Sequence, residues 1–193
     1  MDSKKQRQSL EFLKIDFQEC FEQMRHYDRL FWQVTAGIFS LDAAILATVF
    51  NLLKSKYFST SILGILVFGG FIIGIIVLCF LLKNRIYYVK VARFVNEVRR
   101  QYLENKPLEV ENQAKLYTDP EYPKYSNLAS SQLASIYIMI IINSFYAFVG
   151  LLFLTENFVV AFLFFMFLLI IQVILTICFL RSKEKSLRRE ANE

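Results

Sequence analysis

One carboxyl lies where hydrocarbon is expected. Asp42 is the sole ionisable residue of the apolar run 31–53, FWQVTAGIFSLDAAILATVFNLL. At about 1.5 Å per residue that run is long enough to cross a bilayer as a helix. A carboxylate at mid-depth costs roughly 2.5–3.5 kcal/mol on insertion scales, so the group is protonated, open to water in a cavity, or partnered. No apolar run contains a Lys or Arg to neutralise it. Asn143, at a similar depth in the third run, is the expected hydrogen-bond partner. At about 100° per residue, Gln33, Gly37, Ser40, Ala44, Ala47 and Asn51 share one stripe, with Asp42 and Thr35 roughly opposite. A helix that is polar or small on two sides is most simply buried on both, against its own chain and against another copy. The chemistry on offer is a polar lining: Gln33, Ser40 and Asn51, or Asp42, could line a pore. The plainer alternative is close packing along the small stripe, with Asp42 a neutral hydrogen-bonded acid.

A second set is basic. Lys90, Arg93, Arg99, Arg100 and Lys106 follow the second apolar run, interleaved with Glu97 and Glu104. Arg93 and Arg100 are seven residues apart and so share a helix side. Arranged around an axis, such residues could hold phosphates, because guanidinium groups bind them bidentately. They read equally as a solvated face and as anchors on the inner side of a membrane. Other reaction chemistry is missing: there is no Gly-rich phosphate loop, G-x-S-x-G, HExxH or CxxC. A single His, His26, and three dispersed cysteines, Cys20, Cys79 and Cys178, suggest neither a metal site nor a disulfide. Neither a cofactor nor enzymatic activity is expected.

The elements that must position these residues follow from hydropathy. The chain has 193 residues, is 55% hydrophobic and carries 20 Phe, a membrane-protein composition. Four runs can span: 31–53, 62–82, 133–154 and 158–180. The first 29 residues are polar, with no apolar core before Leu30, so no cleavable signal peptide is expected. Of the 22 Lys and Arg, only Lys54 and Lys56 fall in a connection between paired spans. The rest flank the opposite side, which places both termini and the middle segment in the cytoplasm. The formal net charge of +5 reflects that topology.

The polar segments are helical in pattern. Leu10, Leu13, Phe17, Cys20, Met24, Tyr27 and Phe31 alternate three and four apart, a heptad seam running without Gly or Pro into the first span. The first 29 residues balance six basic against six acidic side chains. That balance suits packing against protein better than lying on a membrane surface. Tyr88, Val91, Val95, Val98 and Tyr102 continue the second run as a matching seam. Gly69, Gly70 and Gly74 in the second run permit close helix approach. Pro107, Pro120 and Pro123 mark 106–130 as a Pro/Tyr loop. The expected fold is an all-α membrane protein: four transmembrane helices in two antiparallel hairpins, with the first two extended as a cytoplasmic helical stalk. Its divisions are an N-terminal helix at 1–29, hairpin one at 30–83, a helix and loop at 84–130, hairpin two at 131–180, and a basic tail at 181–193.

This plan, with HYDRLFWQ leading into a span that carries Asp42 and with the basic segment VARFVNEVRRQYLE, resembles the small transmembrane effectors of bacterial anti-phage defence systems of the Hailong type. The resemblance implies an oligomeric, channel-like protein of the bacterial inner membrane that opens on infection and depolarises the cell. It also implies control by a nucleotide or oligonucleotide that a partner enzyme makes or removes. No separate ligand-binding domain is evident, which leaves the stalk, with Lys90, Arg93, Arg99 and Arg100, as the place for such a ligand. Two alternatives stand beside it: a non-conducting membrane scaffold that recruits a cytosolic partner, and a small proton-coupled transporter using Asp42.

Overall fold

The structure, a computed structural model, describes residues 3–54, 59–104, 118–119, 121–127 and 129–190. Lys56, Lys106, Pro107 and Pro120 lie outside the described residues, as do the side chains of Leu10 and Tyr102. Among the described residues the fold is all-helical: α1 Ser3–Leu53, α2 Thr60–Glu104, α3 Ser131–Thr155 and α4 Phe158–Glu190. All four helices are long and apolar enough to cross a membrane. The protein is a membrane protein by that measure.

Local chemistry explains the boundaries. α1 has no Pro and no Gly before Gly37, so nothing interrupts it between its polar and apolar parts. At the start of α2, the Ser59 hydroxyl accepts from the Ile62 N–H at 3.4 Å, and Asn157 Oδ1 accepts from the Val160 N–H at 3.2 Å at the start of α4. Both meet helix-end donors that would otherwise be orphaned. α3 ends at Glu156, which adopts a left-handed conformation (φ 54°) and donates its N–H to Leu152 O at 2.9 Å. α4 continues to Glu190, well past the tail boundary expected at residue 181. The segment RSKEKSLRRE contains no Gly or Pro and is rich in strong helix formers, so no stop signal exists at the end of the apolar run.

The chain divides into two compact units. A polar unit comprises Met1–Leu30 and Asn84–Tyr125, and an apolar unit comprises Phe31–Lys83 and Ser126–Glu193. α1 and α2 contribute to both.

In the polar unit, Phe17, Cys20, Met24 and Tyr27 of the α1 seam are half-buried, whereas Leu13, expected in the same seam, is exposed. Tyr27 stacks on Tyr87 with ring centroids 5.7 Å apart, and Asn84 Nδ2 donates to Tyr27 O at 2.8 Å. Arg99 lies over the Phe21 ring at 4.9 Å. On α2 the expected seam is present, with Val95 buried and Tyr88, Val91 and Val98 half-buried. A neighbouring row goes deeper: Arg85, Val89, Ala92 and Asn96 are all buried.

In the apolar unit the hydrophobic effect gives helices no reason to associate, because lipid tails are as apolar as leucine; close packing must hold them. Glycines provide it. A Cβ built on Gly64 would lie 2.9 Å from Leu154 Cγ and 3.0 Å from Gly150 O, and one on Gly150 would lie 3.2 Å from Gly64 O. The two backbones therefore touch. Further along α2, Gly70 faces the Tyr146 ring and Gly74 the Asn143 amide. Val49, Val67 and Tyr146 form a buried cluster, flanked by Ile45, Phe71, Ile142, Val149 and Phe153. α4 joins through Phe148, whose ring meets Phe158 at 5.7 Å and Phe165 at 6.1 Å.

Candidate functional site

α1 turns two unlike faces outward and inward along its span. Phe31, Thr35, Ile38, Asp42 and Val49 are buried, with Ile45 half-buried, at spacings of four and three. On the other side Gln33, Gly37, Ser40, Ala44, Ala47 and Asn51 are all exposed. The stripe and Asp42 thus serve different surfaces, as the wheel places them. Ser40 Oγ donates to Ala36 O at 2.9 Å, and Thr48 Oγ1 to Ala44 O at 2.8 Å. With those hydrogens turned to their own backbone, the hydroxyl lone pairs are what these side chains can offer an approaching group.

Asp42 is only 7% exposed and sits against α3. The Tyr146 hydroxyl donates to the Asp42 main-chain carbonyl at 2.6 Å. Asp42 Oδ2 has no hydrogen-bond partner among the described residues, and neither has Asn143 Nδ2. The expected Asp42–Asn143 bond is therefore not formed. Asn143 instead packs its amide oxygen on α2: a Cβ on Gly74 would collide with Asn143 Oδ1, so only glycine leaves that space. The adjacent residue points the other way, toward α4. Gln172 Nε2 donates to Ser144 Oγ at 3.0 Å, and Ser144 Oγ donates to Ile140 O at 2.9 Å, while Gln172 Oε1 has no partner among the described residues. Consecutive residues of α3 thus carry polar groups to two sides of the apolar unit.

In the polar unit, the basic residues expected to hold a ligand are distributed differently. Lys90 is exposed. Arg93 Nε donates to Pro123 O at 3.1 Å, and its guanidinium lies 4.9 Å from the Tyr125 ring centroid. Arg99 covers Phe21, and Arg100 pairs with Glu97 at 2.8 Å. Arg93, Arg99 and Arg100 are therefore engaged with their own chain.

The residues that sequence reasoning missed lie beside them. Arg85, 1% exposed, donates from Nε to Tyr125 O at 2.8 Å and from Nη2 to Lys124 O at 3.2 Å. Asn96 Nδ2 donates to Tyr122 O at 2.8 Å and Asp119 O at 3.3 Å. With Arg93 they bind the Pro/Tyr segment to α2 through its main-chain carbonyls. Asp119 also makes a local turn: its Oδ1 accepts from the Glu121 N–H at 2.8 Å, and its carbonyl from the Tyr122 N–H at 3.0 Å. In the structure Arg85 continues the buried row of Gly74, Leu78 and Leu81 by one turn. On α1, burial and the Asp16 and Glu19 carboxylates push the Cys20 thiol up, so it is no ready thiolate.

No family model, curated protein or solved structure matches the chain. Its function is therefore argued from this geometry.

Proposed function

We propose that the protein is an oligomeric, channel-like effector of the bacterial inner membrane, with both termini in the cytoplasm. Its spans form two antiparallel hairpins, and the polar parts of α1 and α2 form the gating stalk. Opening depolarises the membrane, consistent with a role in anti-phage defence. The trigger acts on the stalk and is a nucleotide, an oligonucleotide or a partner protein. The observation that carries this reading is the exposed stripe of Gln33, Ser40 and Asn51 on a helix of spanning length. Amides and hydroxyls facing lipid tails are unfavourable, so another copy or a water-filled path covers them. The continuity of α1 from Ser3 to Leu53 supplies a mechanical link for gating.

The test is ion flux in proteoliposomes. Ser40→Leu is expected to abolish flux while the oligomer persists in native mass measurement. Unchanged conductance would remove the stripe from the pore.

A second reading, a non-conducting scaffold, draws on a specific observation. Arg93, Arg99 and Arg100 are occupied within the chain, while Phe12 (71% exposed) and Ile15 (56%) stand open on α1. That surface suits protein better than phosphate. A potential-sensitive dye in expressing cells separates the two readings, because only a pore collapses the membrane potential.

A further inference from the structure

Two stripes of the polar unit carry exposed apolar side chains, among which Tyr87 is covered on one side by its own chain's Tyr27. On α1, Phe12, Ile15, Glu19, Glu22 and His26 recur at three and four residues, and all are exposed. They lie opposite the seam of Phe17, Cys20, Met24 and Tyr27. On α2, Tyr87, Lys90 and Phe94 recur in the same way and are exposed, Tyr87 by 54% and Phe94 by 40%. A face holding Glu19 and Glu22 does not sit in hydrocarbon. Its Phe12 and Ile15 therefore meet water unless something covers them, and exposed large apolar side chains grouped in this way mark interaction surfaces.

The two stripes complement one another. One combines apolar residues with two carboxylates; the other combines aromatics with an ammonium, and the acid at its next position, Glu97, is already paired with Arg100. Glu97 also accepts from Gln101 Nε2 at 3.0 Å. Arg25 and Arg29 border the α1 stripe. Both stripes follow the heptad spacing that lets helices pack side by side.

We infer that the α1 stripe of one copy packs on the α2 stripe of the next. The inference rests on the oligomer proposed above and names its stalk interface. Because different surfaces meet, the contact is head-to-tail, and a closed oligomer built from it is a ring. A ring about one axis holds all copies at the same height, so the level of the internal contacts sets the register. Within one chain Tyr27 is level with Asn84 and Tyr87. Counting in opposite directions along the two helices from that level brings Glu22 beside Lys90, Glu19 beside Phe94 and His26 beside Tyr87. Lys90 is then an interface residue rather than a ligand-binding one.

The test uses full-length protein in nanodiscs. Chains bearing Glu22→Cys are mixed with chains bearing Lys90→Cys, in a background with Cys20→Ser, Cys79→Ser and Cys178→Ser, and oxidised with copper phenanthroline. A disulfide joining the two chain types is expected in the mixture, and neither single variant should cross-link alone. Separately, Lys90→Glu should lower the oligomeric mass, and adding Glu22→Lys to it should restore the mass. An oligomer of unchanged mass in Lys90→Glu, without mixed cross-links, would overturn this interface and leave the oligomer standing. A wild-type protein found only as a monomer would overturn the oligomer itself and the interface with it.

Discussion

The two units bury asparagine in opposite ways. In the polar unit Asn96 is 5% exposed, and its amide donates to both Tyr122 O and Asp119 O. In the apolar unit Asn143 is 2% exposed, and its Nδ2 meets no acceptor among the described residues. Asp42 Oδ2 and Gln172 Oε1 share that condition. The difference lies in what surrounds them. The described part of the Pro/Tyr segment, 118–119 and 121–125, is not helical, so its carbonyls can receive side-chain donors. The apolar unit is built from helices whose carbonyls already accept from their own N–H groups, which leaves buried amides few acceptors. The polar unit is therefore held by hydrogen bonds to main chain, whereas the apolar unit is held by helix contact through glycine.

That contrast can be broken at the glycines first. Gly64→Leu forces a side chain onto Gly150 O and Leu154 Cγ, both within 3.0 Å of its Cβ. Overpacking against backbone should cost about 3 kcal/mol. Unfolding in mixed micelles reads that loss, and hydrogen exchange in residues 118–125 should stay at its wild-type level. If that segment loosened equally, the two units would not be separable. The asparagines give the next effect. Asn96→Leu strands two carbonyls and should destabilise the polar unit by about 2 kcal/mol, read as faster exchange in residues 118–125. Asn143→Leu removes an amide nitrogen that has no partner, and should change stability by less than about 1 kcal/mol in either direction. Equal costs at the two sites would mean that Asn143 is satisfied after all. The smallest effect is expected at Arg100→Ala. Its pair with Glu97 spans i,i+3 on a partly exposed surface and should contribute about 0.5 kcal/mol or less, falling further with salt.

The sequence made some of this legible and hid the rest for physical reasons. Four helices could be read from hydropathy. The unbroken courses of α1 and α2 followed from the absence of Gly and Pro where polar and apolar parts join. The division of the α1 span into an Asp42 face and a small stripe came from the wheel alone, and burial follows it. The partner of Asp42 did not, because depth places Asn143 beside it while Gly74 opens a space that draws the amide toward α2. The grip of Arg85 and Asn96 on the Pro/Tyr segment was hidden more thoroughly. Its acceptors are main-chain carbonyls, which have no residue signature, and buried Arg and Asn carry the wrong polarity for a hydropathy pattern to flag. The seam of Tyr88, Val91, Val95 and Val98 was visible for the converse reason. α4 runs on to Glu190 because the change in polarity near residue 181 brings no Gly or Pro to stop the backbone.

α4 carries one more lesson. Of its described side chains only Ala161, Gln172, Thr176 and Leu180 are buried. Half-buried Phe164, Phe165, Leu168, Leu169, Val173 and Ile177 widen that stripe, and Phe158 and Phe165 meet Phe148, but the rest of the apolar part is exposed. Scrambling only the exposed positions among Phe, Leu, Ile and Val, with Phe158 kept, should yield a chain that still assembles. Such a helix is also the natural place to lengthen or shorten the protein's apolar girth, fitting it to bilayers of different thickness without disturbing the other three.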